Sequence, residues 1–440
     1  MALLLSLACI GSRGSGFSMP ERPDLGSGLG WELGVDPFTG QIWTSRYVPD
    51  AEVLADYQAL AALEERSAIQ DAALEAVFLD LIYTEREYVF RVDPADGYRS
   101  TVVGDFASLS AVEAHFGTSG AILGTLPLSA DGWAHGSVRG YSLMGQGPRL
   151  HSEDLRMSPQ GDWCLGERAG IAQLFPADLS WSRSIESLGP VQWSPMGSLM
   201  RLQDGTLSFT DPADLSIVRE LSLLDDQPEL EILGLLDLDA LESQALLSVL
   251  QADGASAVYW LDLASGASEV LGPELAGARF TAMGEIYALN EGVLTIQGRD
   301  GVQRTQALSS NAFWMDDSGR LLVFEEVSEE GQNSFTYLHM ESGVTNWFGR
   351  DLQSVEYIEE TLWFRADNQV WSVDALTGLG GPGVSDCVAS DIAALGDGTL
   401  AVRCDEDTSY AWYGDEDGVA DESLLIVDGS SGELIERVWL

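Results

Sequence analysis

The chain has 440 residues, 45% hydrophobic and 21% charged, enough apolar material to predict a globular protein with a sizeable core. Its 70 acidic residues against 22 basic ones give a formal net charge of -48, and every basic residue is arginine. Such a field repels nucleic acid and anionic lipid headgroups, favours a basic partner, a divalent cation or plain solubility in a saline or extracellular habitat, and leaves no lysine for Schiff-base chemistry.

Residues 1–10 form a short apolar run containing Ala8 and Cys9, followed by a Gly/Ser-rich tether to residue 16. The run resembles a bacterial lipoprotein signal, which implies that Cys9 becomes the lipidated terminus. Ser6 stands where that family has Leu, and no basic residue precedes the run. An ordinary cleaved secretion signal is the alternative, and export is expected in either case. No other run has the roughly 18–20 apolar residues of a membrane span, so membrane attachment is expected only through this end.

Residues 17–49 read as an N-terminal extension with one hairpin, Asp36 and Gly40 bracketing its turn. Asp50, after Pro49 and with Glu52 in the first turn, is placed to cap a helical segment over 50–77, one helix or a pair, lying outside the main body or crossing to another element. From Phe78 to Leu440 the pattern changes to short strands separated by turns. One hairpin recurs there, an apolar strand ending in Asp and a turn closing on Gly, as at Asp262 to Gly266, Asp374 to Gly378 and Asp428 to Gly432. Its spacing of roughly 34–54 residues suits four strands per unit, the period of a β-propeller blade. About nine copies are visible. Discounting one or two as misread predicts an all-β propeller of eight four-stranded blades, with seven as the alternative, and one N-terminal helical segment. Because the chain ends inside its last hairpin, ring closure is expected to pair that blade with a strand from 34–43 or from just after Val77. Trp260, Trp363 and Trp371 are expected to pack between blades.

The Asp-x-x-(Thr/Ser)-Gly turns at Asp36, Asp374 and Asp428 resemble the outer hairpins of quinoprotein-like and YVTN-like bacterial propellers. That superfamily includes quinone-dependent dehydrogenases and non-catalytic lipoproteins, so the resemblance speaks for the fold and is nearly silent about activity. A quinone site requires a bound Ca²⁺, a basic residue and a base. The four histidines, His115, His135, His151 and His339, have no metal-ligand spacing and read as structural. No nucleophile elbow, phosphate loop or dinucleotide fingerprint is present.

Two features carry candidate chemistry. Asp415, Asp417, Gly418 and Asp421 have the relative spacing of alternate carboxylates in a Ca²⁺ loop, which makes Asp415, Asp417 and Asp421 candidate metal ligands. Tyr413 and Leu424 stand where the first and last ligands belong, and in so acidic a chain the same spacing also arises in an ordinary turn. Cys387 and Cys404 flank a turn and face each other across adjacent strands, either as a disulfide suited to an exported protein or as two buried thiols; Cys164 reads as a lone core thiol. The reading is a non-catalytic, exported, monomeric propeller that binds a protein partner, basic in the simplest case, with no cofactor beyond Ca²⁺ at the acidic loop. The alternatives are an enzyme with a loop-built, calcium-dependent site at the channel, and a carbohydrate binder using Trp412.

Overall fold

The computed structural model describes residues 33–404 and 423–440, less short segments of which the longest are 128–137 and 143–149. Among the described residues the strands form nine antiparallel sheets, eight of four strands and one of three. Each sheet is a meander of consecutive strands. In chain order the nine blades span residues 33–107, 110–152, 154–184, 192–222, 231–270, 279–307, 313–348, 352–374 and 389–439. The three-stranded sheet is blade 8, so the ninth copy in the repeat count is a genuine unit beside the eight four-stranded blades. Among the described residues its outer edge meets two isolated bridges, Val370 with Val384 and Val373 with Gly380.

The middle strands explain why the sequence is apolar on both faces. Strand Thr399–Cys404 is buried throughout: Leu400, Val402 and Cys404 pack toward blade 8, and Ala401 packs toward blade 1. Strand Ser423–Asp428 divides in the same way, Leu425 and Val427 to one side, Leu424 and Ile426 to the other. Period-two alternation on a strand buried on both faces gives a continuous apolar run. Fourth strands alternate with solvent instead, as at Ile217–Ser222 and Gln303–Ala307, which places them on the outer rim.

Among the described residues, adjacent blades from blade 3 round to blade 1 share apolar clusters. Phe209 and Leu247 belong to one cluster across blades 4 and 5, Leu294 and Phe324 to one across 6 and 7, and Tyr337 and Leu362 to one across 7 and 8. The circle closes where Leu33, Ile42 and Val92 of blade 1 meet Leu395, Leu424 and Ile426 of blade 9. The protein is therefore a β-propeller. Closure does not use the expected strand exchange: blade 9 takes all four strands from the C-terminal segment, and two complete sheets pack face to face.

The N-terminal boundaries also shift. Strands Leu33–Val35 and Ile42–Val48 are the first two strands of blade 1, not an extension, and helices α1 (Ala51–Ala61) and α2 (Ala68–Thr84) are inserted before its third strand. Asp50 caps α1 as expected, its carboxylate accepting from the backbone N–H of Glu52 and Val53 at 3.0 and 3.2 Å. Helix α2 begins with a reciprocal capping box between Ser67 and Gln70 and runs through Thr84, beyond the expected end at 77. Leu54 is buried on α1, consistent with an external helix.

Candidate interaction face

In an antiparallel meander the turn between strands one and two lies at the same sheet edge as the turn between strands three and four. Among the described residues, the four-stranded blades therefore present an inner turn, near the axis, and an outer turn to one face of the ring.

The outer turns of blades 5, 8 and 9 carry the recurrent Asp, whereas Asp36, grouped with them on sequence, closes the inner turn of blade 1, between its first and second strands. In blade 9 the Gly432 N–H donates to the Asp428 carbonyl at 2.8 Å and the Asp428 N–H donates to Glu433 at 2.9 Å. The Asp428 carboxylate accepts from the backbone N–H of Ser430 and Ser431, at 3.0 and 2.7 Å, and from both hydroxyls. Gly432 supplies the left-handed φ of 71° that closes the turn. Led by the Ser430 hydroxyl, these donors push the Asp428 pKa down to about 2. Asp262 and Asp374 are lowered in the same way, first by the Ser265 hydroxyl and by the Thr377 N–H respectively. In blade 7 the place is taken by His339, whose buried ring accepts the Ser342 N–H at Nδ1, 3.2 Å away, with the Ser342 hydroxyl at 2.9 Å. The structural role expected of His339 is thus a specific one, replacement of the turn aspartate.

The inner turns form a second, less visible repeat. In blade 4 the Gly197 N–H donates to the Ser194 carbonyl, and the Ser194 hydroxyl accepts from the Ser198 N–H, at 2.9 and 3.0 Å. Blade 6 repeats this with Thr281: Gly284 donates to its carbonyl at 2.8 Å and Glu285 to its hydroxyl at 3.1 Å. Blade 5 uses Asp239, which accepts from the Ser243 and Gln244 N–H groups at 2.6 and 2.7 Å, with Glu242 at φ 50° in the place of glycine. The anchors are buried and the tips are not. Met196, Leu241 and Met283, each preceding the left-handed residue, are 60%, 73% and 53% exposed. Neighbouring turns touch, since the Met196 N–H donates to the Glu242 carboxylate at 2.9 Å.

Further round, the same position is acidic. Asp397 is the exposed tip in blade 9 and accepts from the Thr399 N–H and hydroxyl. Blade 8 turns on Glu359 and Glu360, both exposed and both left-handed at φ 45° and 71°, in a two-residue hairpin that ordinarily favours Asn-Gly. The face is thus asymmetric, with an apolar arc on blades 4–6 and an acidic arc on blades 8 and 9.

The wall between blades 8 and 9 is polar at its inner edge. Glu356, on first strand Leu352–Ile358, is half-buried there, facing Ala394 and Asp391 of first strand Ala389–Ala394. Burial, reinforced by the Asp391 charge, pushes its pKa up to about 8. Arg365 donates to the Ala389 carbonyl at 3.1 Å across the same seam. These groups hold two blades together. Among the described residues no group of three or more His, Cys, Asp or Glu is arranged to hold a metal. A cleft of about 260 Å³ between blades 4 and 5, with Leu221, Leu224 and Leu261 among its lining, is small for a drug-sized ligand.

Cys387 and Cys404 are joined as a disulfide, their Cα atoms 5.5 Å apart, and Cys164 is a buried free thiol. Asp415, Asp417 and Asp421, like Trp412, Cys9 and His135, lie outside the described residues. His115 and His151 fall in separate strands, Ser110–His115 and Leu150–Ser152. Trp363 packs between blades as expected, fully buried with its indole N–H on the Gly429 carbonyl at 2.8 Å, and Trp260 is partly buried. Trp371 corrects the expectation: it is 48% exposed, on the edge strand Gln369–Asp374 of the three-stranded blade. The inner-turn tips escaped sequence reading altogether, although Ser194-x-Met196-Gly197 and Thr281-x-Met283-Gly284 share a recognisable signature.

No family model and no curated protein matches the sequence. Among solved structures the chain is similar to Porphyromonas gingivalis dipeptidyl peptidase 4 at 10% identity and a TM-score of 0.46, over 86% of this chain and 65% of that one. It is similar to a eukaryotic initiation factor at 9% identity and a TM-score of 0.41, over 80% and 95%. Virginiamycin B lyase from Staphylococcus aureus gives 12% identity and a TM-score of 0.32, over 57% and 89%.

Proposed function

We propose that this protein is a non-catalytic, exported scaffold that holds a protein partner on the inner-turn face. The observation that carries the reading is the set of three large apolar side chains, Met196, Leu241 and Met283, exposed at equivalent tips of neighbouring blades. A turn tip in water ordinarily carries a polar residue, and exposed apolar groups gathered on one face mark interaction sites. Export is supported by the signal-like start with Cys9 as its lipidation residue and by the Cys387–Cys404 disulfide. The acidic surface suits a basic partner. Placing a photo-crosslinking amino acid at position 241 in cells, followed by mass spectrometry, is expected to capture one recurring protein. A chain that stays uncrosslinked there and at other exposed positions around the ring contradicts the reading.

A further inference from the structure

The inner turns say what kind of segment the partner presents. Six of their described backbone N–H groups are already paired: Gly197 and Gly284 donate within their own turns, Ser198 and Glu285 donate to anchor hydroxyls, and Ser243 and Gln244 donate to Asp239. A partner strand would compete for donors that are already paired, whereas a helix satisfies its own backbone and needs only side-chain contact. Apolar anchors on three adjacent turns match one apolar stripe, and methionine at two of them gives the flexible, polarizable contact that accommodates helical ligands.

The surroundings fix the charge of the rest of that helix. Outward from the apolar arc lie the outer turns, where Asp262 is held ionised by its own hydrogen bonds. Around the ring lie Glu359, Glu360 and Asp397, all exposed. The whole chain carries -48. We propose that Met196, Leu241 and Met283 form the docking surface for a cationic amphipathic helix of the partner, its apolar stripe on the three tips and its basic flanks toward the surrounding carboxylates. The inference rests on the scaffold reading and narrows it to one face and one ligand chemistry.

The test uses the full chain and a Leu/Lys peptide with all its leucines on one helical face, compared by calorimetry with a peptide of the same composition and scattered leucines. At about 0.15 M salt, where surface charges are partly screened, the amphipathic peptide is expected to bind at least about tenfold more tightly than the scattered one. The triple variant Met196→Ser, Leu241→Ser, Met283→Ser changes no charge and is expected to lose that advantage. The pair Ile217→Ser, Val218→Ser removes equally exposed apolar side chains from the outer rim of blade 4 and is expected to keep it. Milder Met196→Gln and Met283→Gln changes serve if the triple variant does not fold, with a partial loss expected. Equal binding of both peptides, or an undiminished advantage in the tip variants, overturns the inference. A chain that crosslinks a partner in cells but shows no such preference keeps the scaffold reading and loses this one; a tip-dependent preference without a cellular partner leaves a helix-binding face and overturns the scaffold reading with its partner.

Discussion

The inner turns of blades 4–6 and those of blades 8 and 9 occupy equivalent places on the ring and show opposite chemistry to solvent. Blade 4 anchors its turn with a buried Ser194 and exposes Met196; blade 9 bonds Thr399 to Asp397 and exposes that same aspartate. In blade 4 anchor and tip are separate residues, whereas in blade 9 the tip aspartate itself accepts the Thr399 N–H, so the residue at the tip varies between equivalent turns. A fold that tolerates either tip does not require methionine or leucine in water, so the apolar arc calls for an explanation outside folding.

Substitutions graded from framework to tip should break or sharpen that separation. The largest effect is expected from Trp363→Ala, which empties a fully buried site between blades 8 and 9 and leaves the Gly429 carbonyl without its indole donor; denaturant unfolding should show a loss of about 3–5 kcal/mol. Asp239→Ala strips the acceptor from the Ser243 and Gln244 N–H groups and is expected to cost about 1–3 kcal/mol by the same assay. A loss no larger than that of a tip substitution would end the distinction between anchor and tip.

Glu356→Gln tests the seam through pH. The folded carboxyl titrates near 8 against an ordinary value of 4.5, so its protonated form is the one the fold favours. Its stabilising contribution is complete below about 4.5, declines as the pH rises from there, and is gone above about 8. The Gln variant, which cannot ionise, should melt close to the parent at pH 4 and above it at pH 9, the gap opening between. A gap independent of pH would remove the Glu356 carboxyl from the account. The smallest effect belongs to Leu241→Ser, expected to change stability by less than about 0.5 kcal/mol while weakening partner capture.

Much of the ring was legible because period-two apolar strands and Asp-to-Gly turns are local signals. The turn at Asp428 and the cap at Asp50 behave as their residue types dictate. Blade 1 was not legible, because two helices separate its second strand from its third and sequence spacing cannot express that non-local pairing. Closure was misread for the same reason: whether two sheets exchange a strand or pack as complete units depends on contacts between Leu33 and Leu424, far apart in sequence. The candidate face was hidden differently. Ser194, Asp239 and Thr281 perform one task with three residue types, and glycine is replaced by Glu242 in blade 5, so the repeat emerges only when hydrogen bonds are compared.

The most direct measurement is methyl NMR of the full chain with labelled methionines, recorded while the amphipathic Leu/Lys peptide is added. The exposed Met196 and Met283 methyl signals are expected to move together and saturate, while those of the buried Met157 and Met200 stay in place. Saturating shifts confined to other methionines, or binding that leaves Met196 and Met283 unmoved, would contradict docking at the tips.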